Sequence, residues 1–321
     1  MSNLKINLKY QDMGTKKFIV YIKLFALVIS LTSCSKEDSY DSIPTNELNL
    51  PETPYDYTSL NLPSHFTTNV PGQPLPTSIN GTDNTPLDNP ITNAGATLGR
   101  VLFYDKKLSA DNTISCASCH KQEFGFSDNT SKSIGVSGEQ TFRNSMGFAN
   151  AGFYAAENFS WDHQAATLED QILIPITDEL EMGITLENLV EKLSNLAYYE
   201  PLFINAFGDS QITSTKISKA LSQFVRSIYS YNTKYDRGIE ITKDIFIDFP
   251  NFTTKENLGK DIFNGKLTPG AIGTCITCHL PNSTPLHFDQ PIPENANQVI
   301  FSGAEPDNIG LDIDLNVEDN G

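Results

Sequence analysis

Two short stretches place thiols and imidazoles where they can act together: Cys116-Ala117-Ser118-Cys119-His120 and Cys275-Ile276-Thr277-Cys278-His279. Thiols at this spacing can add to the two vinyl groups along one edge of a porphyrin, while the imidazole that follows reaches the iron as fifth ligand. Each stretch therefore reads as the attachment site of a c-type haem. A shorter or longer spacing would strain one of those three bonds. Two CxxC pairs are also the material of a four-cysteine zinc site, and a single pair that of a redox dithiol. Neither accounts for a histidine directly after each pair. The chain has five cysteines, and the fifth, Cys34, stands far upstream in a different setting.

The elements that must hold these groups also repeat. Leu98-Gly99-Arg100-Val101-Leu102-Phe103 precedes the first motif and Leu258-Gly259-Lys260-Asp261-Ile262-Phe263 the second. Each is the expected leading helix of a cytochrome c-like domain, with the glycine allowing a close helix crossing. Ile217, Ala220, Leu221, Phe224, Val225, Ile228 and Tyr229 follow helical spacing, which predicts the closing helix of the first domain over 215–231. A further helix is predicted over 186–197, with Leu186, Leu189, Val190 and Leu193 on one face. Thr167 and Asp170 resemble a capping box that opens a helix, and Pro175 is expected to end it and fix the loop that follows. The predicted fold is mainly α, with two cytochrome c-like haem domains in tandem. The first covers 89–240 and the second, incomplete, 241–321.

Upstream, Lys16-Lys17 precedes an apolar run from Phe18 to Leu31 that ends in Leu31-Thr32-Ser33-Cys34. At about 14 residues, with Lys23 inside it, the run is short of the roughly 20 needed to span a bilayer and reads as a secretion signal over 1–33. Met13 offers an alternative start. Leu-Thr-Ser-Cys resembles a bacterial lipobox, which predicts lipidation of Cys34 and a protein anchored to the outer membrane, in the periplasm or at the cell surface. The acidic run after Cys34 resembles a surface-export tag. Residues 34–88, rich in Pro, Thr, Asn and Ser, read as a tether ordered only near its end. Of 22 bases and 39 acids, the first 33 residues hold five and one, leaving 17 and 38, or −21, on the remainder. That balance argues against nucleic acid as a partner, because binding phosphate needs a basic patch.

Asn89-Pro90-Ile91-Thr92, the run from Leu98 through Asp105, Leu108-Ser109, Arg143-Asn144, and Trp161 followed by Gln171, Pro175 and Glu181 stand at the offsets found in one family. From about Leu60 to its end the chain resembles the bacterial di-haem cytochrome c peroxidases, a family that includes the maturase MauG. The resemblance implies that Trp161 lies between two haems, that Glu181 is the acid/base residue with Gln171 beside it, and that Asn144 helps to hold a calcium ion. It further implies two covalent haems on Cys116, Cys119, His120 and on Cys275, Cys278, His279. Hydrogen peroxide would be the substrate and a small cytochrome or copper protein the electron donor. The alternatives are a MauG-like maturase that oxidises a partner protein's side chain, and a non-catalytic di-haem electron carrier.

Three departures matter. Ser160-Trp161-Asp162-His163-Gln164 replaces the family's Phe-Trp-Asp-Gly-Arg. No histidine lies between His120 and His163 to serve as a sixth ligand of the resting first haem, with Met146 the remaining soft candidate. The chain also ends soon after His279 with nothing resembling a closing helix, so it is expected to be truncated, the second haem's sixth ligand lying beyond Gly321. His287 is read as a surface histidine.

Overall fold

The structure, a computed structural model, describes residues 48–67, 83–154, 159–161, 164–267 and 275. All of them lie in the compact unit Ile43–Gly321. Cys34, Cys278 and His279 lie outside the described residues. No strand forms among those described, only isolated bridges such as Lys121 with Ser127 and Ile134 with Gln140. The fold is mainly α.

After a one-turn helix α1 (Ser64–Thr67), α2 (Asn93–Tyr104) begins where Thr92 accepts from the Gly95 N–H. It buries Leu98 and Leu102 completely. Its partner is α7 (Ser214–Arg226), opened by Thr213 accepting from the Lys216 N–H. The spacing read from sequence is the buried face of α7: Ile217, Ala220, Leu221, Phe224 and Val225 are all covered. The helix stops at Arg226 rather than 231, with Ile228 still packed on the core. The expected close crossing is present, because a Cβ on Gly99 would come within 2.0 Å of the Ala220 carbonyl oxygen. Gly95, one turn earlier, leaves room for Gln223, whose Oε1 accepts from both the amide and the hydroxyl of Thr92. The α2–α7 crossing is therefore apolar along its length and tied by hydrogen bonds at one end.

Between them run α3 (Cys116–Cys119), α4 (Leu168–Thr177), α5 (Leu186–Ser194) and α6 (Tyr199–Phe207). Leu189, Leu193, Tyr199, Leu202 and Phe203 join α2 and α7 in one continuous core. Pro175 does not end α4, which continues two residues further to Thr177. Its ring removes only the bond to the Gln171 carbonyl. The last turn is held instead by the chain folding back: Met182 N–H donates to the Pro175 carbonyl and Ile184 N–H to that of Ile176.

Two stretches differ from expectation. Leu48, Leu50 and Tyr57, in the segment read as tether, pack on the main core, and the Tyr57 N–H donates to Asn93. His65 is buried further along the same segment, with Nε2 3.2 Å from Asp236 and Nδ1 3.0 Å from Glu240. Those acids lie on α8 (Lys234–Thr242), which crosses the expected boundary at 240 and packs Ile239 with Ile245 and Phe249. In α9 (Thr254–Phe263), the second leading helix, Leu258 and Ile262 are 50% and 52% exposed, and a Cβ on Gly259 would meet nothing within 4 Å. The equivalent positions Leu98, Leu102 and Gly99 are enclosed by α7.

Candidate functional site around the first CxxCH

The single turn of α3 puts Cys116, Cys119 and His120 at i, i+3 and i+4 of one helical winding. The Ser118 hydroxyl accepts from the Ser115 N–H at 2.9 Å, and His120 N–H closes the turn on the Cys116 carbonyl at 2.9 Å. Burial pushes the Cys116 thiol up to about 12 and raises that of Cys119 as well. A redox-active dithiol needs a lowered thiol pKa, so this environment is the reverse of what that reading requires.

His120 is pinned on one edge. Its Nδ1 lies 2.9 Å from the Phe126 carbonyl and 3.0 Å from that of Met146. Only a protonated Nδ1 can donate to them, which leaves Nε2 with its lone pair as the metal-binding nitrogen. Burial depresses the imidazole pKa and keeps the ring neutral. Phe148 stacks on the ring at 4.0 Å, 23° from parallel. The loop that delivers the Phe126 carbonyl is strained, since Phe126 has φ +64°. A left-handed conformation costs a non-glycine residue about 1–2 kcal/mol. The cost is borne at the residue that orients the imidazole, where such outliers tend to gather.

Beyond this turn, residues 121–146 are knit by polar contacts. Asp128 accepts from Lys121 at 2.6 Å and from the Ser133 hydroxyl, which in turn meets Ser145 at 2.9 Å. Burial works to raise the Asp128 carboxyl, but these donors and the Asn129 N–H hold it down at about 2.

Glu181 sits in the turn that follows α4. The Glu181 carbonyl accepts from Val136 N–H at 2.8 Å, and Gly135 presses so closely on the Leu180 carbonyl that a Cβ there would lie 1.5 Å from its oxygen. Burial raises the Glu181 carboxyl to about 7, with the Asp178 charge adding to it. Its charge acts on both Cys116 and Cys119, so it lies within electrostatic range of the CxxCH turn. Gln171, on α4, has a buried Oε1 with no hydrogen-bond partner among the described residues. The orphaned acceptor on α4 and the desolvated acid in the turn after it lie on one stretch of chain, and with the pinned imidazole of His120 they fit a site that binds haem.

Trp161 is not a core residue. It is 42% exposed, and its Nε1 donates to the Asn144 carbonyl at 2.9 Å. Two residues on, the Met146 carbonyl faces His120, so Trp161 rests on the stretch of chain that backs the imidazole. The Asn144 amide turns its nitrogen toward the Thr130 and Ser131 carbonyls, at 3.1 and 3.2 Å. Cys275 is exposed.

Two features had no signal in the sequence. Phe148 lies in no periodic pattern. Arg226 is almost fully buried and pairs with Glu169 through Nη1 at 2.6 Å and Nη2 at 2.9 Å, while its Nε donates to Asn84. Burial tends to raise the Glu169 carboxyl, and the Arg226 guanidinium overcomes it. This pair locks the first turn of α4, two residues before Gln171, onto α7.

Residues 93–244 match the family model described as "Di-haem cytochrome c peroxidase". The chain is 33% identical over 194 residues to the methylamine utilization protein MauG of Methylophilus methylotrophus, covering 60% of this chain and 54% of that one. It is 30% identical over 185 residues to the cytochrome c551 peroxidase of Nitrosomonas europaea, covering 57% and 51%. A crystal structure of a MauG-like protein associated with microbial copper homeostasis aligns with a TM-score of 0.54 at 30% identity, covering 69% of this chain and 57% of that one. The chain thus spans about half the length of the curated relatives it matches.

Proposed function

Because residues 93–244 are a domain of the di-haem cytochrome c peroxidase family, we propose that the protein reduces hydrogen peroxide to water at a haem held by Cys116, Cys119 and His120. The thiols would carry the porphyrin through thioether bonds and His120 Nε2 would bind its iron. The haem, when bound, supplies the iron at which peroxide is taken up and the electrons it needs are delivered. The observation that carries the proposal is Glu181, whose desolvated carboxyl with a pKa of about 7 lies within electrostatic range of that turn.

A carboxyl balanced near neutrality can both accept and return a proton. Glu181 takes the proton from one peroxide oxygen and gives it to the other as water leaves. The orphaned Gln171 carbonyl oxygen orients a water or the peroxide hydroxyl as hydrogen-bond acceptor. Two electrons and two protons convert one peroxide to two waters, and in this reading Trp161 bridges to the second haem, on Cys275, Cys278 and His279. A small cytochrome or copper protein is the donor. Glu181→Gln should lower peroxide turnover by about 10²- to 10⁴-fold, the usual contribution of general acid/base catalysis, with haem content by pyridine haemochrome unchanged. A variant within a factor of two of the parent would overturn the assignment.

The similarity to MauG favours one second reading, a maturase that oxidises a partner protein's side chain through the same haems. Steady peroxide reduction with a reduced cytochrome or copper protein as sole donor supports the peroxidase, and its absence in protein carrying both haems supports the maturase. A carrier that only passes electrons leaves the raised Glu181 carboxyl without a role.

A further inference from the structure

From the imidazole of His120, aromatic rings run in contact to the surface. Phe148 is stacked on His120 at 4.0 Å, Phe103 lies 6.1 Å from Phe148, and Tyr104 lies 5.2 Å from Phe103. The two ring-to-ring spacings beyond Phe148 are those of packed aromatic pairs. Phe103 is 1% exposed, whereas Tyr104, the last residue of α2, is 44% exposed. The chain of rings therefore starts at the ligand nitrogen's own ring, passes the half-buried Phe148 and the buried Phe103, and ends in water. Phenylalanine is too hard to oxidise to hold a charge itself and serves only as a bridge. A phenol differs, because it can give up an electron together with its proton. At Tyr104 that proton has an outlet, since the ring reaches solvent and lies within electrostatic range of Glu123 and Arg100.

We propose that Tyr104 is a surface site of one-electron oxidation, fed from the first haem through Phe103 and Phe148, at which small phenols and hydroquinones act as reductants. The proposal rests on the peroxidase reading above, which supplies the oxidant. Each electron delivered to peroxide leaves Tyr104 as its O–H bond breaks, the proton passes to water, and a phenoxyl radical remains. A phenol at the surface then returns one hydrogen atom to Tyr104 and becomes the radical. Two such events per peroxide consume two protons at the haem and yield two waters and two phenol radicals, with Tyr104 regenerated.

The test uses the full-length, haem-loaded protein. Peroxide is added without donor, the mixture is freeze-quenched, and radicals are read by electron paramagnetic resonance; guaiacol oxidation is followed separately. The parent should give a tyrosyl signal. Tyr104→Phe, which removes only a hydroxyl and keeps the packed ring, should lose both that signal and guaiacol oxidation. Tyr104→Trp, which restores an oxidisable ring, should show a tryptophanyl signal and recover guaiacol oxidation. An undiminished tyrosyl signal in Tyr104→Phe, or unchanged guaiacol oxidation, would overturn the proposal. Parent protein that consumes peroxide with a protein donor yet forms no radical would overturn this proposal alone. Parent protein that consumes no peroxide with any donor would overturn the peroxidase reading with it.

Discussion

In the proposed reaction Glu181 and His120 depend on one device, burial that favours the neutral form, raising the carboxyl and depressing the imidazole. A carboxyl whose folded pKa is raised to about 7, above its ordinary 4.5, binds a proton in the native state that the unfolded chain has already lost. Its contribution to stability is complete below 4.5 and disappears as pH rises through 7. Urea midpoints of Glu181→Gln, compared with the parent between pH 5 and 8, should show this part of the pH dependence removed. Met146 is the other residue whose placement decides an outcome. Its carbonyl sits against Nδ1 of His120, on the side of the ring away from Nε2. With no histidine between His120 and His163, the oxidised first haem should be high-spin in electron paramagnetic resonance and react with peroxide without prior reduction. Two low-spin haems and a lag abolished by pre-reduction would show that another side chain closes the site.

Helix pairs set where those groups stand. The α2–α7 crossing depends on Gly99, and Gly99→Ala drives a methyl group into a backbone carbonyl that has no rotamer by which to move. Overpacking of this kind costs about 1–3 kcal/mol, so the urea midpoint should fall with little change in slope. Gly259→Ala, whose Cβ would meet nothing within 4 Å among the described residues, is the control and should leave the midpoint unchanged or slightly raised, as alanine does in a helix interior. The segment over 48–67 hangs on a different contact, His65 between Asp236 and Glu240. Both acids are held below their ordinary range: burial opposes this, but the His65 contact and other hydrogen bonds prevail, taking Glu240 to about 2. Stability from this contact is present above about 4.5 and is lost as pH falls toward 2. Leaving the buried Asp236 carboxylate without this hydrogen-bond partner costs about 1–3 kcal/mol. In His65→Ala, protease cleavage within 48–67 should become fast while α2 and α7 stay protected.

Taken whole, the chain carries a formal charge of −17, and a surface of that sign attracts a donor with a basic face and repels an acidic one. On the proposed reading, the two CxxCH motifs carry one haem each, on Cys116, Cys119 and His120 and on Cys275, Cys278 and His279. Protein exported in a host that attaches c-type haem should have an intact mass corresponding to two haems and to lipidation at Cys34. Cys34→Ser should lose the lipid and keep both haems. One haem, or an unlipidated parent that retains residues 1–33, would refute the corresponding half of this reading, including its placement at the outer membrane.

Local patterns are legible in the order of residues alone. The CxxCH spacing is a covalent constraint within five residues, and the stripe from Ile217 to Val225 is a helical period that needs no knowledge of its partner. Even the need for glycine at 99 follows from a repeated prelude. Helix ends are less legible: α4 runs past Pro175 because residues 182 and 184 fold back to bond its last turn, a contact that local propensity does not encode. The residues that orient the site are not legible at all. Phe148 against His120, Phe126 in a strained conformation, Arg226 on Glu169, and His65 on α8 are single pairings across the fold, the last two between residues far apart in sequence. None repeats, so none leaves a period to read, and each is settled only when the folded chain brings its partners to the same place.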